Sequence, residues 1–153
     1  MEIEDLLTAE NVLGDFKASS KKQTLQSLSR KLADFAGLDA RLVFDKLLER
    51  EKLGSTGVGK GVAIPHARVE GLDEIKGLFA RLASPIDFDS VDDQPVDIVF
   101  MLLAPTDAGA DHLKALARVS RLLRDEGTLK KLRATSDDSA LYAMLAQPTS
   151  NAA

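Results

Sequence analysis

A chain of 153 residues, 44% hydrophobic and 29% charged, is long enough for one packed domain and too apolar for wholesale disorder. Twenty Lys and Arg against 24 Asp and Glu leave a net charge of −4, so it lacks the basic surface on which nucleic-acid binding rests. The absence of cysteine removes disulfides, thiolate nucleophiles and zinc ribbons, and no apolar run approaches the roughly 20 residues needed for membrane insertion.

The opening MEIEDLL is acidic and lacks the basic start of a secretion signal, so the expected address is the cytoplasm. Val12–Phe16 reads as a short strand. Ser20 to Gln23 has capping-box spacing, Leu25, Leu28, Leu32, Phe35 and Ala36 share one face of the helix that follows, and Gly37 stops it. A second helix runs from a cap at Asp39 to about Lys52. Gly54, Gly57, Gly59 and Gly61 then break any helix, and residues 62–64 form a short run of buried type. Residues 77–83 and 96–104 read as strands. The second is nearly all apolar, as a central strand covered on both faces should be. Residues 111–124 are helical, with Leu113, Leu116, Ser120 and Leu123 along the seam, and two short helices follow around 128–133 and 138–145. The fold class expected from this order is α/β: one domain over residues 1–147, a mixed β-sheet flanked by helices on both faces. The small polar tail, 148–153, is expected to fray.

Several stretches carry chemistry. Residues Gly54 to Lys60 match the phosphate-loop spacing G-x-x-x-x-G-K, but Gly61 stands where a Ser or Thr should hold magnesium. A helix precedes and Pro65 follows, so the strand-to-helix context is reversed. Nucleotide binding through Gly54–Lys60 therefore stands as an alternative to a flexible turn into a strand. His66 is presented where an apolar strand ends, with Pro65 fixing the backbone angle before it; taken alone it is either a reactive group or a hydrogen-bonded surface residue. His112 falls in the first turn of a helix, near free backbone N–H groups, where an anion is favoured or a polar residue is simply solvated. Asp111 is either that helix's cap or the partner of the imidazole. The two histidines and scattered carboxylates lack metal-ligand spacing. The acidic stretch from Asp87 to Asp93 lacks the central glycine of a calcium loop and reads as a solvated connection between strands. No G-x-S-x-G elbow appears. Lys114, Arg118 and Arg121 share a helical face that is solvated or, beside a phosphate, guides an acidic partner. No metal or other cofactor is expected.

Taken together, Glu49 to Ala67, EREKLGSTGVGKGVAIPHA, resembles the active-site segment of the mannitol/fructose-type enzyme IIA domains of the bacterial phosphotransferase system. Within that family the nitrogen-regulatory enzyme IIA is the nearest type, and the similarity runs from Leu6 to about Leu145. The resemblance implies the same mixed sheet flanked by helices, a phosphoryl-accepting His66, an active-site arginine at Arg50 and a second active-site histidine at His112. Ala67 stands where the family often has Gly. It further implies a phosphohistidine donor of the HPr type, fed from phosphoenolpyruvate by an enzyme I. A regulatory member binds other proteins according to its phosphorylation state, potassium-transport components or sensor kinases among them; a sugar-specific member instead passes the phosphate to a IIB domain.

The chemistry is coherent on general grounds. A neutral imidazole is a good nucleophile near pH 7 and needs neither metal nor nucleotide to accept a phosphoryl group. The loose transition state needs positioned positive charge and N–H donors. The Arg50 fork suits phosphate oxygens, His112 can add a hydrogen bond, and the glycines are expected to bring backbone N–H groups close.

Overall fold

In the computed structural model, which describes residues 1–147, helices begin and end on the residues whose side chains or backbone angles enforce them. The tail expected to fray, 148–153, lies outside the described residues. Two short 3-10 turns, Ile3–Asp5 and Ala9–Asn11, lead into strand β1 (Val12–Phe16). Helix α1 (Lys21–Ala36) is capped by Ser20, whose hydroxyl accepts the Gln23 N–H, and closes at Gly37 in the left-handed region at φ 73°. The reciprocal half of the capping box is displaced by one residue: the Gln23 side-chain oxygen accepts from the Ser19 backbone and hydroxyl. Helix α2 (Ala40–Lys52) is capped by the Asp39 carboxylate. Strands β2 (Gly57–Gly59), β3 (Val62–Ala63), β4 (His66–Val69), β5 (Lys76–Ile86) and β6 (Val96–Pro105) follow, then helices α3 (Ala110–Arg124), α4 (Glu126–Arg133) and α5 (Asp138–Leu145).

The strands form one mixed sheet in the order β1-β5-β6-β3-β2, with β4 also on β6. β6 is the spine, antiparallel to β5 and parallel to β3 and β4. Residues 98–105 are all buried, which accounts for the unbroken apolar run. β3 and β4 keep one register along β6: Val62 lies opposite Ile98 and His66 opposite Leu102. They amount to a single strand interrupted at Ile64 and Pro65. Pro65 has no N–H to give the ladder, although its carbonyl still accepts from Leu102 at 2.9 Å.

Alternate residues of the sheet feed two cores. Helices α1 and α2 pack against Ala67, Leu78, Val99 and Met101 on one face. Helices α3, α4 and α5, with the N-terminal turns, pack against Ile64, Phe79, Phe100 and Leu102 on the other. Both flanking layers expected from the sequence are therefore present. The seam of α3 is shifted, however. Its buried residues are His112, Ala115, Val119 and Leu123, whereas Leu113 is 67% exposed. A polar His and a small Ala fill inward positions, so counting large apolar residues picks a neighbouring stripe. Among the described residues no helix is long and apolar enough to cross a membrane.

Gly77 lies opposite Leu102, in the same row of the sheet as His66. Its N–H donates to the Leu6 carbonyl at 2.6 Å, and a Cβ there would come within 2.9 Å of both that oxygen and the Phe100 ring. Gly77→Ala is expected to cost about 1–3 kcal/mol by overpacking, read as a lower denaturation midpoint in urea with an unchanged slope.

Candidate active site

The interruption between β3 and β4 builds the centre of the site. Ile64 donates its N–H to Thr56 at 2.9 Å, and its carbonyl oxygen is 2.9 Å from Nδ1 of His66. A carbonyl only accepts, so Nδ1 carries the proton and Nε2 of the neutral ring keeps its lone pair. His66 is thus the first residue of β4 and not the last of the preceding strand, and the two-residue gap before it supplies the oxygen that orients the ring.

An open cleft lies over His66, with Lys46, Glu49, Arg50 and Leu53 of α2 and its end along one side and Ala67, Arg68 and His112 completing it. Arg50 stands in the last turn of α2 and donates from Nη1 to the Gly54 carbonyl at 2.9 Å, which holds the guanidinium beside the ring. The next residue, Glu51, is buried. Its carboxylate accepts from the backbone N–H of Thr56 at 3.0 Å and from the Thr56 hydroxyl, and it pairs with Lys21 at 3.0 Å. That knot ties α1, the end of α2 and the entry to β2 together beneath Arg50.

His112 meets His66 with ring centroids 5.5 Å apart and planes at 72°. It is 7% exposed, and its Nε2 is buried with no hydrogen-bond partner. Orphaned buried nitrogens are few in folded proteins, and this one belongs to the ring packed edge-on against His66. The cap of α3 is Gly109, at φ 57° and ψ −128°, and not Asp111; Asp111 instead donates its N–H to the Ala108 carbonyl at 3.2 Å.

The structure thus brings His66, His112 and Arg50 to one cleft, as the family resemblance implies, adds Arg68 and Glu49 to its lining, and buries Glu51 behind Arg50. Arg68 shares a face of β4 with His66 by simple alternation, a signal available in the sequence. Glu51 carries no such signal, because Lys21 and Thr56 meet it only through folding. The glycines act otherwise than expected. None of Gly54, Gly57, Gly59 and Gly61 lines the cleft. Gly59, Lys60 and Gly61 have φ of 102°, 59° and 77° and form the tight turn between β2 and β3. The Lys60 N–H donates to Asp92 at 2.9 Å and its Nζ lies 3.4 Å from Glu126, so carboxylates of the chain itself occupy the donors that a nucleotide phosphate would need. The acidic connection runs between β5 and β6 and buries Phe88 and Ser90. Among the described residues no cluster of three His, Asp or Glu side chains is placed to hold a metal. Lys114, Arg118 and Arg121 do not line the cleft.

Comparison with known proteins matches residues 5–147 to the family described as "Phosphoenolpyruvate-dependent sugar phosphotransferase system, EIIA 2". The nitrogen regulatory protein of Bradyrhizobium diazoefficiens is 58% identical over 153 residues, covering the whole of both chains. A fructose-specific EIIA component from Haloferax volcanii is 37% identical over 130 residues, covering 84% of each. The crystal structure of nitrogen regulatory protein IIA-Ntr from Neisseria meningitidis superposes with a TM-score of 0.88 at 34% identity, covering 94% of this chain and 98% of that one.

Burial holds the His66 ring below the ordinary imidazole value of 6.5; the Ile64 hydrogen bond opposes it, the Arg50 charge adds to it and the Glu51 carboxylate opposes it more weakly. His112 is lowered by burial, then by His66 and Arg68. An imidazole lowered on folding binds fewer protons folded than unfolded, so its stabilisation is complete above about 6.5 and is lost as pH falls through that value toward the folded one. The denaturation midpoint is therefore expected to drop between pH 7.5 and 5.5, and to drop less in His66→Gln. Equal pH dependence in the two proteins would separate His66 from the effect.

Proposed function

The chain belongs to the type-2 enzyme IIA family of the phosphoenolpyruvate-dependent sugar phosphotransferase system, and from that premise we propose that it is a phosphoryl carrier of the nitrogen-regulatory type, accepting phosphate on Nε2 of His66. The observation that carries this reading is the Nδ1 hydrogen bond to Ile64, because it leaves Nε2 free in a neutral ring facing the cleft. The donor is a phosphohistidine protein of the HPr type. The Nε2 lone pair attacks phosphorus; the new N–P bond forms as the donor's N–P bond breaks, and the donor nitrogen takes back its electron pair. His66 becomes cationic during attack, and its Nδ1–H leans on the Ile64 carbonyl. Arg50 supplies fixed charge to the phosphoryl oxygens, and the unpartnered Nε2 of His112 supplies a hydrogen bond. No step calls for a metal or nucleotide.

The nitrogen-regulatory reading is favoured by the name of the Bradyrhizobium diazoefficiens relative, matched over its entire length. In this reading the protein works in the cytoplasm and controls other proteins, such as potassium-transport components or sensor kinases, by gaining or losing roughly −1.5 to −2 charges at His66. A second reading, a sugar-specific component that passes its phosphate to a IIB domain, is favoured by the similarity to the fructose-specific component. Rapid quantitative transfer onto a IIB domain would select it.

Incubation with enzyme I, an HPr-type protein and phosphoenolpyruvate is expected to attach a single acid-labile phosphate to the chain and none to His66→Ala. Equal labelling of the two would end the assignment. Arg50→Ala should slow transfer about 100-fold, the scale of losing one oriented donor, with an unchanged circular-dichroism spectrum. Because His66 is held below the ordinary imidazole value, the transfer rate should stay level as pH falls through 6.5 and decline only at lower pH.

A further inference from the structure

Two arginines line the cleft, and the family resemblance accounts for one. Arg68 follows His66 by two residues on β4, so both side chains leave the same face of the strand. Its guanidinium makes two contacts, Nη1 to the Thr106 carbonyl and Nη2 to the Gly109 carbonyl, each at 3.4 Å. Both are longer than the 2.7–3.2 Å of well-formed N–H···O bonds and both go to neutral oxygens. Among the described residues no carboxylate pairs with Arg68, whereas Arg133, Lys21 and Lys76 all have carboxylate partners. An exposed fork of five donors, held loosely and unneutralised at the edge of a cleft that already contains a nucleophile, is a cation without an anion.

We propose that Arg68 is a second guanidinium for the phosphoryl group, reaching it from β4 while Arg50 reaches it from α2. The inference rests on phosphorylation of His66. Charge-assisted bonds to phosphate are roughly twice as strong as bonds to neutral carbonyls. The fork therefore leaves Thr106 and Gly109 and closes on the phosphoryl oxygens as they arrive. Its charge is already felt inside the site, since it contributes to holding His112 below the ordinary imidazole range. Arg50 acts on His66 in the same way, so the two cations bracket the pair of rings. Swinging away from Gly109 also releases the carbonyl of the residue that caps α3, the helix that carries His112.

The test uses phosphoramidate, a small donor with no protein surface, beside the HPr-type protein. Arg68→Ala is expected to be phosphorylated about 10-fold more slowly by both donors, the scale of one charge-assisted hydrogen bond, and Arg68→Lys to recover part of the rate because charge is kept and the fork is lost. Phosphorus NMR titration of the phosphorylated chains supplies a readout that a purely structural role would not move: removing the guanidinium should raise the second ionisation of the phosphoryl group. Parent-like rates with phosphoramidate together with an unmoved titration would overturn the proposal. Slowing confined to the protein donor would overturn it too, by assigning Arg68 to docking. Full labelling of His66→Ala is a separate outcome, which removes the phosphorylation reading itself and this inference with it.

Discussion

One hydrogen bond, from His66 Nδ1–H to the carbonyl of Ile64, is the constraint on which the site depends. A bond of this kind contributes only about 1 kcal/mol net, yet it decides which nitrogen holds the proton, and that decides which nitrogen can form a new bond. Its existence goes back to the sheet. β6 aligns β3 and β4 in one register, and Pro65 interrupts them without changing it. Ile64 spends its N–H on Thr56, which leaves its carbonyl to the ring two residues on. A slip of a single residue in that register would turn His66 to the opposite face of the sheet.

Burial and positive charge act together on the ring in a way that distinguishes two electrophiles. A proton adds one positive charge and meets poor solvation and the nearby Arg50, so protonation is disfavoured. A phosphoryl group adds negative charge and meets the same arginine as a partner. The electrostatics that keep the His66 ring unprotonated are thus the ones that would favour the phosphorylated form proposed for it. The nearby carboxylate does not undo this. Glu51 is held by Lys21 and by two Thr56 donors, so its charge is largely committed and its effect on His66 is the smallest of the four influences.

Much of the scaffold is legible in the sequence because local physics and fold agree there. Ser20, Gly37 and Asp39 punctuate the first two helices where capping chemistry says they should. The apolar run beginning at Val96 is the covered central strand. The Ile-Pro-His step marks the proposed nucleophile, since Pro65 before a histidine is an unusual way to continue a strand. The rest was hidden for identifiable reasons. His112 and Ala115 occupy inward positions of α3 that hydrophobicity alone assigns to large apolar residues. The glycine run has phosphate-loop spacing because a hairpin with three consecutive positive φ angles and a nucleotide loop make similar demands on the backbone; Gly61 and Pro65 already speak against the loop in the sequence, and the hydrogen bond from Lys60 to Asp92, 32 residues away, is what the sequence does not show. Glu51 and Lys21 meet through the packing of α1 on α2, which no short motif encodes.

The same geometry bears on what kind of partner could read a phosphorylation state of His66, were it phosphorylated as proposed. Leu53 is 84% exposed and lines the cleft beside Arg50. A protein that covers Leu53 to bury its apolar surface must also strip water from whatever sits on His66. With a neutral ring there, that desolvation costs little. With a phosphoryl group there, a doubly charged anion would lose its water while keeping only the cations of the cleft, which is more costly than one leucine's burial is favourable. A partner with apolar surface alone at that point is therefore restricted to the unphosphorylated protein. A partner that brings its own cation to the cleft tolerates both forms, and can exchange the group. On the proposed function, discrimination between regulated proteins and phosphoryl-exchanging proteins would thus turn on one feature of the partner: whether it places a positive charge against the edge of this cleft.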